Sequence, residues 1–335
     1  MKLAGTRVVA ADIDRMTEKL WILDGENRPA KHSAFWVLLL LAAVIASAGV
    51  VSDSTATVIG AMIVAPLMTP ILGTALAIVL ARRKQMLVNA ALVVVGALSV
   101  IAVGFIIGLG HPFPIDAANN SQVAGRVSPH LIDLLAALAT GAVGAFALIR
   151  SDISDTLPGV AIAISLVPPL AVVGITLESG FPDQALGALL LFSTNVAAII
   201  GTGTVVLLGF SVREAAIEGG FEVGQLTGRT LAVIALMVVA VAVPLAFGSM
   251  NAYQQQSTIS AAKPVADSWA KSEGWRIESV DYDQGELQIT ALGPPPTIDV
   301  QELRTQLDEA GLEDVEVSVR LVVGGVATIE PSSDD

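Results

Sequence analysis

The feature that most constrains this chain is a series of long apolar runs before residue 250. A helix needs about 20 mostly apolar residues to cross a bilayer, because backbone polar groups cannot stay unsatisfied in hydrocarbon. Only 15% of the residues are charged, against about a quarter in an ordinary soluble protein. The runs that are long enough predict an all-α polytopic membrane core of about seven spans: residues 34–51, 55–80, 87–110, 130–149, 157–177, 185–209 and 230–248.

Lysine and arginine are distributed unevenly between the loops that connect these runs. Twelve of them lie before the first run and in every second loop, whereas Arg126 is alone on the opposite side before the last run. Cytoplasmic loops carry such an excess, so we expect residues 1–33 to be cytoplasmic and the protein to lie in the bacterial inner (plasma) membrane. An odd number of spans then places the chain after residue 249 outside the cell.

Before the first run, apolar residues recur at spacings of three and four and predict an amphipathic helix. They are Val9, Ile13, Met16, Leu20 and Leu23. Such a helix can lie on the inner membrane surface. It can equally pack on its own membrane domain or on a neighbouring subunit, and the pattern does not separate the two.

The composition changes after residue 249, and residues 250–335 form a predicted small α+β module. Helix and turn signals give the order α-β-β-α-β, with elements at 264–273, Arg276–Tyr282, Glu286–Leu292, Val300–Ala310 and Val315–Leu321. The module holds 16 acidic and 5 basic residues, so it carries −11 of the chain's net charge of −13. This acidity disfavours nucleic acid as a partner, and it suits a position away from the anionic cytoplasmic leaflet.

Two stretches of the membrane core resemble each other. The triplet Ser-Asp-Ser at 52–54 recurs 102 positions later as Ser-Asp-Thr at 154–156. At the same offset, Pro66 matches Pro168. Each Ser-Asp therefore lies the same distance before a proline inside an apolar run, which indicates an internal repeat.

Each copy of the repeat would contain three spans, at about 34–110 and 130–209. Because three is odd, the second copy enters the membrane in the opposite direction, which gives a 3+3 inverted repeat. Pro70 and Pro169 add a second proline to each run, although not in the same register. Inverted repeats with proline-broken helices at matching positions indicate a transport site near the bilayer midplane.

The physical reason lies in the backbone. A proline lacks its N–H and frees carbonyl groups one turn earlier, and in the membrane these are tolerated only inside protein or along a water-filled path. Paired breaks would bring two half-helix ends together, where their dipoles and carbonyl groups could bind an ion. The alternative is that neighbouring spans satisfy each kink without any ligand.

Several polar residues in or near the spans are candidates for binding an ion or solute. Asp53 and Asp155 each follow a short connection, and either could cap a helix N-terminus or couple transport to a cation. Asn195 lies within the sixth span, either as a hydrogen bond between helices or as a ligand-coordinating amide. Thr69 and Ser165 precede prolines and could bond the freed carbonyl groups or line the same path.

The motifs of enzymes and metalloproteins are absent from the sequence. There is no cysteine, and His32, His111 and His130 lack the spacing of metal ligands. Hydrolase, metalloprotease and nucleotide-binding motifs are also missing. We therefore expect no catalysis, no metal site and no cofactor. Small-residue pairs such as Gly104 and Gly108 fit either tight internal packing or a homo-oligomer.

Two stretches carry a family resemblance. Residues 52–83 read SDSTATVIGAMIVAPLMTPILGTALAIVLARR and residues 151–170 read SDISDTLPGVAIAISLVPPL. Both resemble signatures of the bacterial and archaeal hydrophobic membrane family called domain of unknown function three-eight-nine. The resemblance covers residues 34–210 and implies membership, but the family has no established activity from which a mechanism would follow.

Together these patterns predict an integral membrane transporter or channel for a small ion or solute. Its site would lie at the paired proline breaks, its partners would be membrane lipids and the transported species, and the chain would form a homo-oligomer. The alternative is a membrane scaffold or sensor without transport, in which the soluble module binds lipid or a protein partner.

Overall fold

The computed structural model describes residues 8–25, 27–129, 131–150, 166–224, 257–272, 274–283, 286–294 and 300–324. The chain divides into two compact units, residues 1–249 and 250–335.

The described part of the first unit is helical throughout. Its helices are α1 Ala10–Leu20, α2 Arg28–Val51, α3 Thr55–Val64, α4 Met68–Val79, α5 Arg83–Gly108, α6 Ser121–Val127, α7 Leu131–Ile149, α8 Val167–Glu178, α9 Pro182–Gly209 and α10 Val212–Glu218.

Within the described residues, four helices are long and apolar enough to cross a membrane, namely α2, α5, α7 and α9. Helices α3 and α4 form a fifth candidate span that is bent by 46°. Helix α8 is the described part of the predicted span at 157–177, and the predicted span at 230–248 lies outside the described residues. These helices are typical of a membrane protein.

On one face of the unit, arginine side chains donate hydrogen bonds to the carbonyl groups at helix C-termini. The Arg15 guanidinium donates to the carbonyl oxygens of Leu148 and Ile149 at 3.1 and 3.3 Å. Arg213 donates to the Val79 carbonyl oxygen at 2.8 Å. Cations are favourable at helix C-termini because the unpaired carbonyl groups there carry partial negative charge. Helices α4 and α7 therefore end on the same face as α1.

The opposite face is formed by the α2–α3 turn, the segment around α6 and the α8–α9 turn. The Asn120 side chain donates to the Val50 carbonyl oxygen at 2.8 Å. The Ile115 backbone N–H donates to Ser179 Oγ at 3.0 Å. Helix α8 therefore ends on the face opposite to the end of α4.

The N-terminal helix α1 packs on its own unit. Ile13, Met16 and Leu20 are fully buried in the same apolar cluster as residues of α4 and α7. Leu23 also packs against that cluster, but Val9 is 51% exposed and does not belong to the buried stripe. Of the two interpretations that the periodicity left open, packing on the membrane unit is the one observed.

The second unit has the predicted α-β-β-α-β order. Residues 257–272 are helical, which places the first helix earlier than predicted, and α12 is Val300–Glu309. Naming the 257–272 helix α11, the strands are β1 Arg276–Asp283, β2 Glu286–Gly293 and β3 Glu316–Val323. Strand β2 is central, antiparallel to β1 and parallel to β3, and both helices pack on one side of the sheet around a shared apolar core.

Candidate functional site

Two short helices, α4 and α8, occupy the centre of the first unit. Each has 12 residues, and the stretches 70–79 and 167–176 are buried without interruption. Both begin inside the apolar unit, since Leu67 and Ile71 belong to the same buried cluster as Val167. A helix of 12 residues is about 18 Å long, which is too short to cross a bilayer.

The prolines lie where these helices begin. Pro66 lies in the break between α3 and α4, where Ala65 has an extended backbone. Pro70 is the third residue of α4, and Pro168 and Pro169 are the second and third residues of α8. A proline in the first turn costs no helical hydrogen bond, because the N–H groups there have no partner within the helix.

The predicted break is therefore observed at Pro66, and Pro70 lies in the first turn of the helix that follows the break. Pro168 and Pro169 likewise lie in the first turn of a helix, and the residues before Leu166 lie outside the described part of the chain. The candidate residues Asp155 and Ser165 also lie outside the described residues.

Helices α4 and α8 correspond at an offset of 99 positions. Met68 and Val167 begin them, and Val79 and Glu178 end them. At this offset Pro70 and Pro169 coincide, although the 102-position offset read from the sequence separated them. The C-terminal caps agree as well.

The caps have the same hydrogen bond. The Arg82 backbone N–H donates to the Ala77 carbonyl oxygen at 2.8 Å, and the Phe181 N–H donates to the Thr176 carbonyl oxygen at 2.8 Å. This is the six-to-one bond of a Schellman cap. All four residues keep the 99-position offset.

The packing of these helices also keeps the 99-position offset. A methyl group added at Gly104 of α5 would lie 2.6 Å from the Ala171 carbonyl oxygen of α8. A methyl group added at Gly203 of α9 would lie 3.3 Å from Leu72 Cδ2 of α4. Gly104 corresponds to Gly203 and Leu72 to Ala171 at this offset, so the two contacts exchange partners. The small-residue position at Gly104 therefore serves tight internal packing.

Asn195 is buried in α9 at the depth where α8 begins. Helices α8 and α9 are joined by the short turn after Glu178 and pack against each other. Asn195 follows Pro182 by 13 residues, or about 20 Å, and Val167 precedes Glu178 by 11 residues, or about 17 Å. The amide therefore lies within about one helical turn of the α8 N-terminus.

The same amide lies at the depth of the break before α4. Gly203 contacts Leu72, and α4 and α9 pack side by side toward the face that carries α1. Asn195 precedes Gly203 by eight residues, or about 12 Å, which corresponds to the break at residues 65–67. Thr69 is half-buried just after this break, and its N–H donates to the Pro66 carbonyl oxygen at 3.2 Å.

A second buried amide, Asn89, was not among the predicted site residues. It lies on α5, nearer the face that carries α1, against Gly73 of α4. Its Nδ2 donates to the Gln85 carbonyl oxygen at 3.0 Å, and its Oδ1 has no hydrogen-bond partner among the described residues. Asn89 is buried to the same degree as Asn195, but it lies away from the N-termini of α4 and α8.

Asp53 lies at the opposite face, in the α2–α3 turn. Its carboxylate accepts from Ser121 Oγ at 2.7 Å and from the Gln122 N–H at 3.1 Å, at the N-terminus of α6. The hydrogen bond from Ser121, together with those from Gln122, holds the pKa of this carboxyl below its ordinary value of 3.8. Asp53 thus adds a second acceptor at the N-terminus of α6, which Asn120 caps, whereas its own helix α3 is capped by Ser54.

A cavity of about 380 Å³ lies beside α1. The indole of Trp21 is stacked under the Arg82 guanidinium, 5.2 Å from the ring centroid, and both line the cavity. Three carboxylates, Asp14, Glu18 and Asp24, lie at the same cavity. In the sequence, the feature that could have indicated this cavity is Trp21, which lies beside the apolar stripe of α1. No group of acidic and histidine side chains among the described residues could hold a metal ion.

The central region of the chain is similar to a known protein family. Residues 62–201 match the family model "Domain of unknown function (DUF389)", which confirms the resemblance. The "Uncharacterized protein MJ0678" of Methanocaldococcus jannaschii is 33% identical over 176 residues, which are 52% of this chain and 54% of that protein. This chain therefore spans about half the length of the curated relative that it matches.

No solved structure matches the chain. The family match includes the break at Pro66, both short helices and Asn195, and it excludes Asp53 and the C-terminal module.

Proposed function

We propose that the chain is an integral membrane transporter or channel for a small ion or solute. The observation that carries this proposal is the pair of short buried helices, α4 and α8, which begin inside the apolar unit and end at opposite faces. A buried helix start leaves unpaired backbone donors at membrane depth, and such ends occur where they bind a ligand or line a cavity.

We further propose that the unit is a 3+3 inverted repeat, with α2–α5 as one half and α7–α9 as the other. Three features support it at a single offset of 99: the helix starts, the C-terminal caps and the exchanged contacts of Gly104 and Gly203. A two-fold axis requires such an exchange, because a contact between i and j must recur with the partners reversed.

The proposed site lies between the N-termini of α4 and α8, with Asn195 at the same depth. The helix dipoles give both ends partial positive charge. Pro168 and Pro169 remove two of the four free N–H groups of α8. This end would therefore attract a ligand mainly through the electric field of the helix dipole and less through hydrogen bonds from the backbone. The Asn195 amide can donate and accept, and Thr69, Ser165 and the carbonyl groups freed by Pro66 would add acceptors.

Asp53 would act at the entrance. Its carboxylate connects the α2–α3 turn to α6 on the face where α8 ends. Loss of this connection would free the segment between α5 and α7, so we propose a gating role for Asp53, and for Asp155 at the other end of the repeat.

The orientation follows from charge. Arg15, Arg82 and Arg213 lie on the face that carries α1, and we propose that this face is cytoplasmic. With a seventh span, the acidic module would lie outside the cell. Because the chain has no cysteine, Ser332→Cys should react with a membrane-impermeant thiol reagent in intact cells, and Ser33→Cys should not.

Flux measurements on the full chain in liposomes test the proposal. A panel of inorganic ions and small metabolites should include one that crosses, and Asn195→Ala should lower its flux about tenfold, the effect of losing one hydrogen bond to a ligand. Asn89→Ala is the matched control, because it removes an equally buried amide that lies away from the helix starts. Both variants are first compared with the parent by thermal unfolding.

Two outcomes would oppose the proposal. Equal loss of flux in both variants would make Asn195 a structural amide. Absence of flux for the whole panel would favour the scaffold or sensor, in which the repeat is only a packing unit.

A further inference from the structure

Among the described residues, strand β3 lies at an edge of the sheet of the C-terminal module. Within the described residues the sheet order is β1-β2-β3, so β3 has a neighbour on one side. It pairs with β2 at all eight positions without a register shift. A long regular edge presents unpaired N–H and C=O groups and is a template for another strand.

The other edge strand, β1, is protected against such pairing. Its register shifts between Ile277 and Ser279, which marks a bulge. Exposed Glu278 and Asp281 add like charge along the strand. Bulges and charges are the usual means of blocking an edge. Strand β3 has no bulge, and six of its residues are uncharged.

The hydrogen-bonding positions of the free edge follow from a bond at the end of β3. The Gly324 N–H donates to the Gly293 carbonyl oxygen at 3.0 Å, so the even-numbered backbone groups point toward β2. Because backbone groups alternate along a strand, Val317, Val319 and Leu321 offer their N–H and C=O groups at the free edge. Their side chains pack on the core of the module.

The charged side chains of β3 favour a second copy of β3 as the partner strand, and they favour one register of that pairing. Glu316 and Arg320 are exposed on the side of the sheet away from the helices. Neither forms an ion pair with another described residue. If a second β3 pairs in antiparallel fashion about a two-fold axis at Ser318, Glu316 lies directly opposite Arg320 of the second copy, and the pair occurs twice.

Other registers are less favourable. An axis at Glu316 or Arg320 would place like charges opposite each other, which is destabilising. An axis at Val319 would leave each charge opposite an uncharged side chain. An axis at Val317 would place Glu316 opposite Ser318, and Arg320 would face only Asp314, which precedes the strand. In the module itself Glu316 faces Glu286 of β2, and an arginine from a second copy would offset that repulsion.

We propose that β3 is a self-association edge, through which two copies of this chain join their three-stranded sheets into one six-stranded sheet. Opposite-charge cross-strand pairs each contribute modestly, and a strand edge alone buries little area. Membrane anchoring compensates, because two modules tethered in the same bilayer meet at a high effective concentration. The inference is independent of whether the chain transports a solute.

Single-cysteine cross-linking in the full chain tests the two-fold axis. Ser318 and its copy would form a non-hydrogen-bonded pair with Cα atoms about 4.5 Å apart, within the range of a disulfide. Ser318→Cys in membrane vesicles should therefore form a covalent dimer under mild oxidation. Thr290→Cys is the control, since it lies on the same side of the sheet but on the central strand, and it should stay monomeric.

Charge exchange tests the register. In the Ser318→Cys background, Arg320→Glu should lower cross-linking at least threefold, because each Glu316 would then face another carboxylate. Adding Glu316→Arg should restore the dimer, since the opposite charges are again paired. No dimer with Ser318→Cys, or equal dimer with Thr290→Cys, would overturn the proposal. If Arg320→Glu leaves the yield of cross-linked dimer unchanged, the proposed register is wrong.

Discussion

Helices α4 and α8 have the same length and the same cap, yet they are held in the unit by different contacts. Helix α8 meets α5 backbone to backbone, where a methyl group at Gly104 would lie 2.6 Å from the Ala171 carbonyl oxygen. Helix α4 meets α9 through side chains, where a methyl group at Gly203 would be 3.3 Å from Leu72 Cδ2 and 3.4 Å from Ala75 Cβ. Equivalent positions in one architecture therefore differ in how much change they tolerate.

The largest expected effect comes from adding one methyl group at these two glycines. Gly104→Ala should destabilise the unit by about 2–3 kcal/mol, because a backbone oxygen cannot move aside as a side chain does. Gly203→Ala should change stability little, because the Leu72 side chain has to shift by only a few tenths of an ångström, and the alanine favours the helix by about 1 kcal/mol. Thermal unfolding of both variants in detergent measures the difference.

Each glycine variant is the control for the other, because both make the same chemical change in a long helix. Equal destabilisation would mean that α4 is packed as rigidly as α8. Equal tolerance would mean that α5 can move away from α8, and the comparison between the two helices would fail.

A second difference lies at the helix ends. The end of α4 is closed by Arg213, which donates to the Val79 and Gly224 carbonyl oxygens, each at 2.8 Å. We expect Arg213→Ala to lower stability by about 1–2 kcal/mol, because two charge-assisted hydrogen bonds to partly buried carbonyl groups are lost. Lys84→Ala removes an exposed charge near the start of α5 and should change the stability little. Chemical unfolding in detergent compares the two.

If Lys84→Ala destabilises as much as Arg213→Ala, net charge rather than the carbonyl contacts accounts for the effect. The end of α8 has a different closure, in which Ser179 Oγ accepts from the Ile115 N–H.

Part of this arrangement could be predicted from the sequence. Apolar length located α5, α7 and α9 within four residues at each end, because the requirement to cross hydrocarbon acts on composition alone. The missing N–H of Pro66 is equally local, so the break was predictable. The strands of the module followed from alternation and turns.

The rest depends on tertiary structure. The helix resumes at Met68, two residues before Pro70, and the point where it resumes depends on burial, which no local pattern states. The Ser-Asp triplets predict a repeat at an offset of 102, but the helices correspond at 99. The contact of Gly104 with Ala171 and the bond of Asp53 to Ser121 join residues 67 and 68 positions apart, so neither could be read from spacing.

The caps provide a smaller and opposite pair of effects. The residue after each cap is left-handed, with φ of +50° at Ala81 and +87° at Gly180. An alanine is strained there and a glycine is not. Ala81→Gly should therefore stabilise the unit by up to about 1 kcal/mol, and Gly180→Ala should destabilise it by about 1 kcal/mol. Melting temperatures of the single variants and the double exchange test this.

Opposite signs in the two single variants, and near cancellation in the double, would support equivalent caps. The same sign in both would show that one of the two positions does not have the cap described here.

The smallest effect concerns Asp53, a third left-handed residue, with φ of +49° at the end of α2. Its hydrogen bonds from Ser121 and Gln122 lower its pKa below 3.8. A carboxyl whose pKa is lower in the folded state adds stability above its unfolded pKa, and this is lost as pH falls through the folded value. The melting temperature should therefore have a small acid-dependent component below about pH 4.

Asp53→Asn also tolerates the left-handed backbone but cannot ionise, so it should lack this component while the two proteins share the rest of the pH profile. An identical acid response in parent and variant would mean that the α6 cap does not depend on the charge of Asp53, and the proposed gate would then have no sensitivity to protonation at this residue.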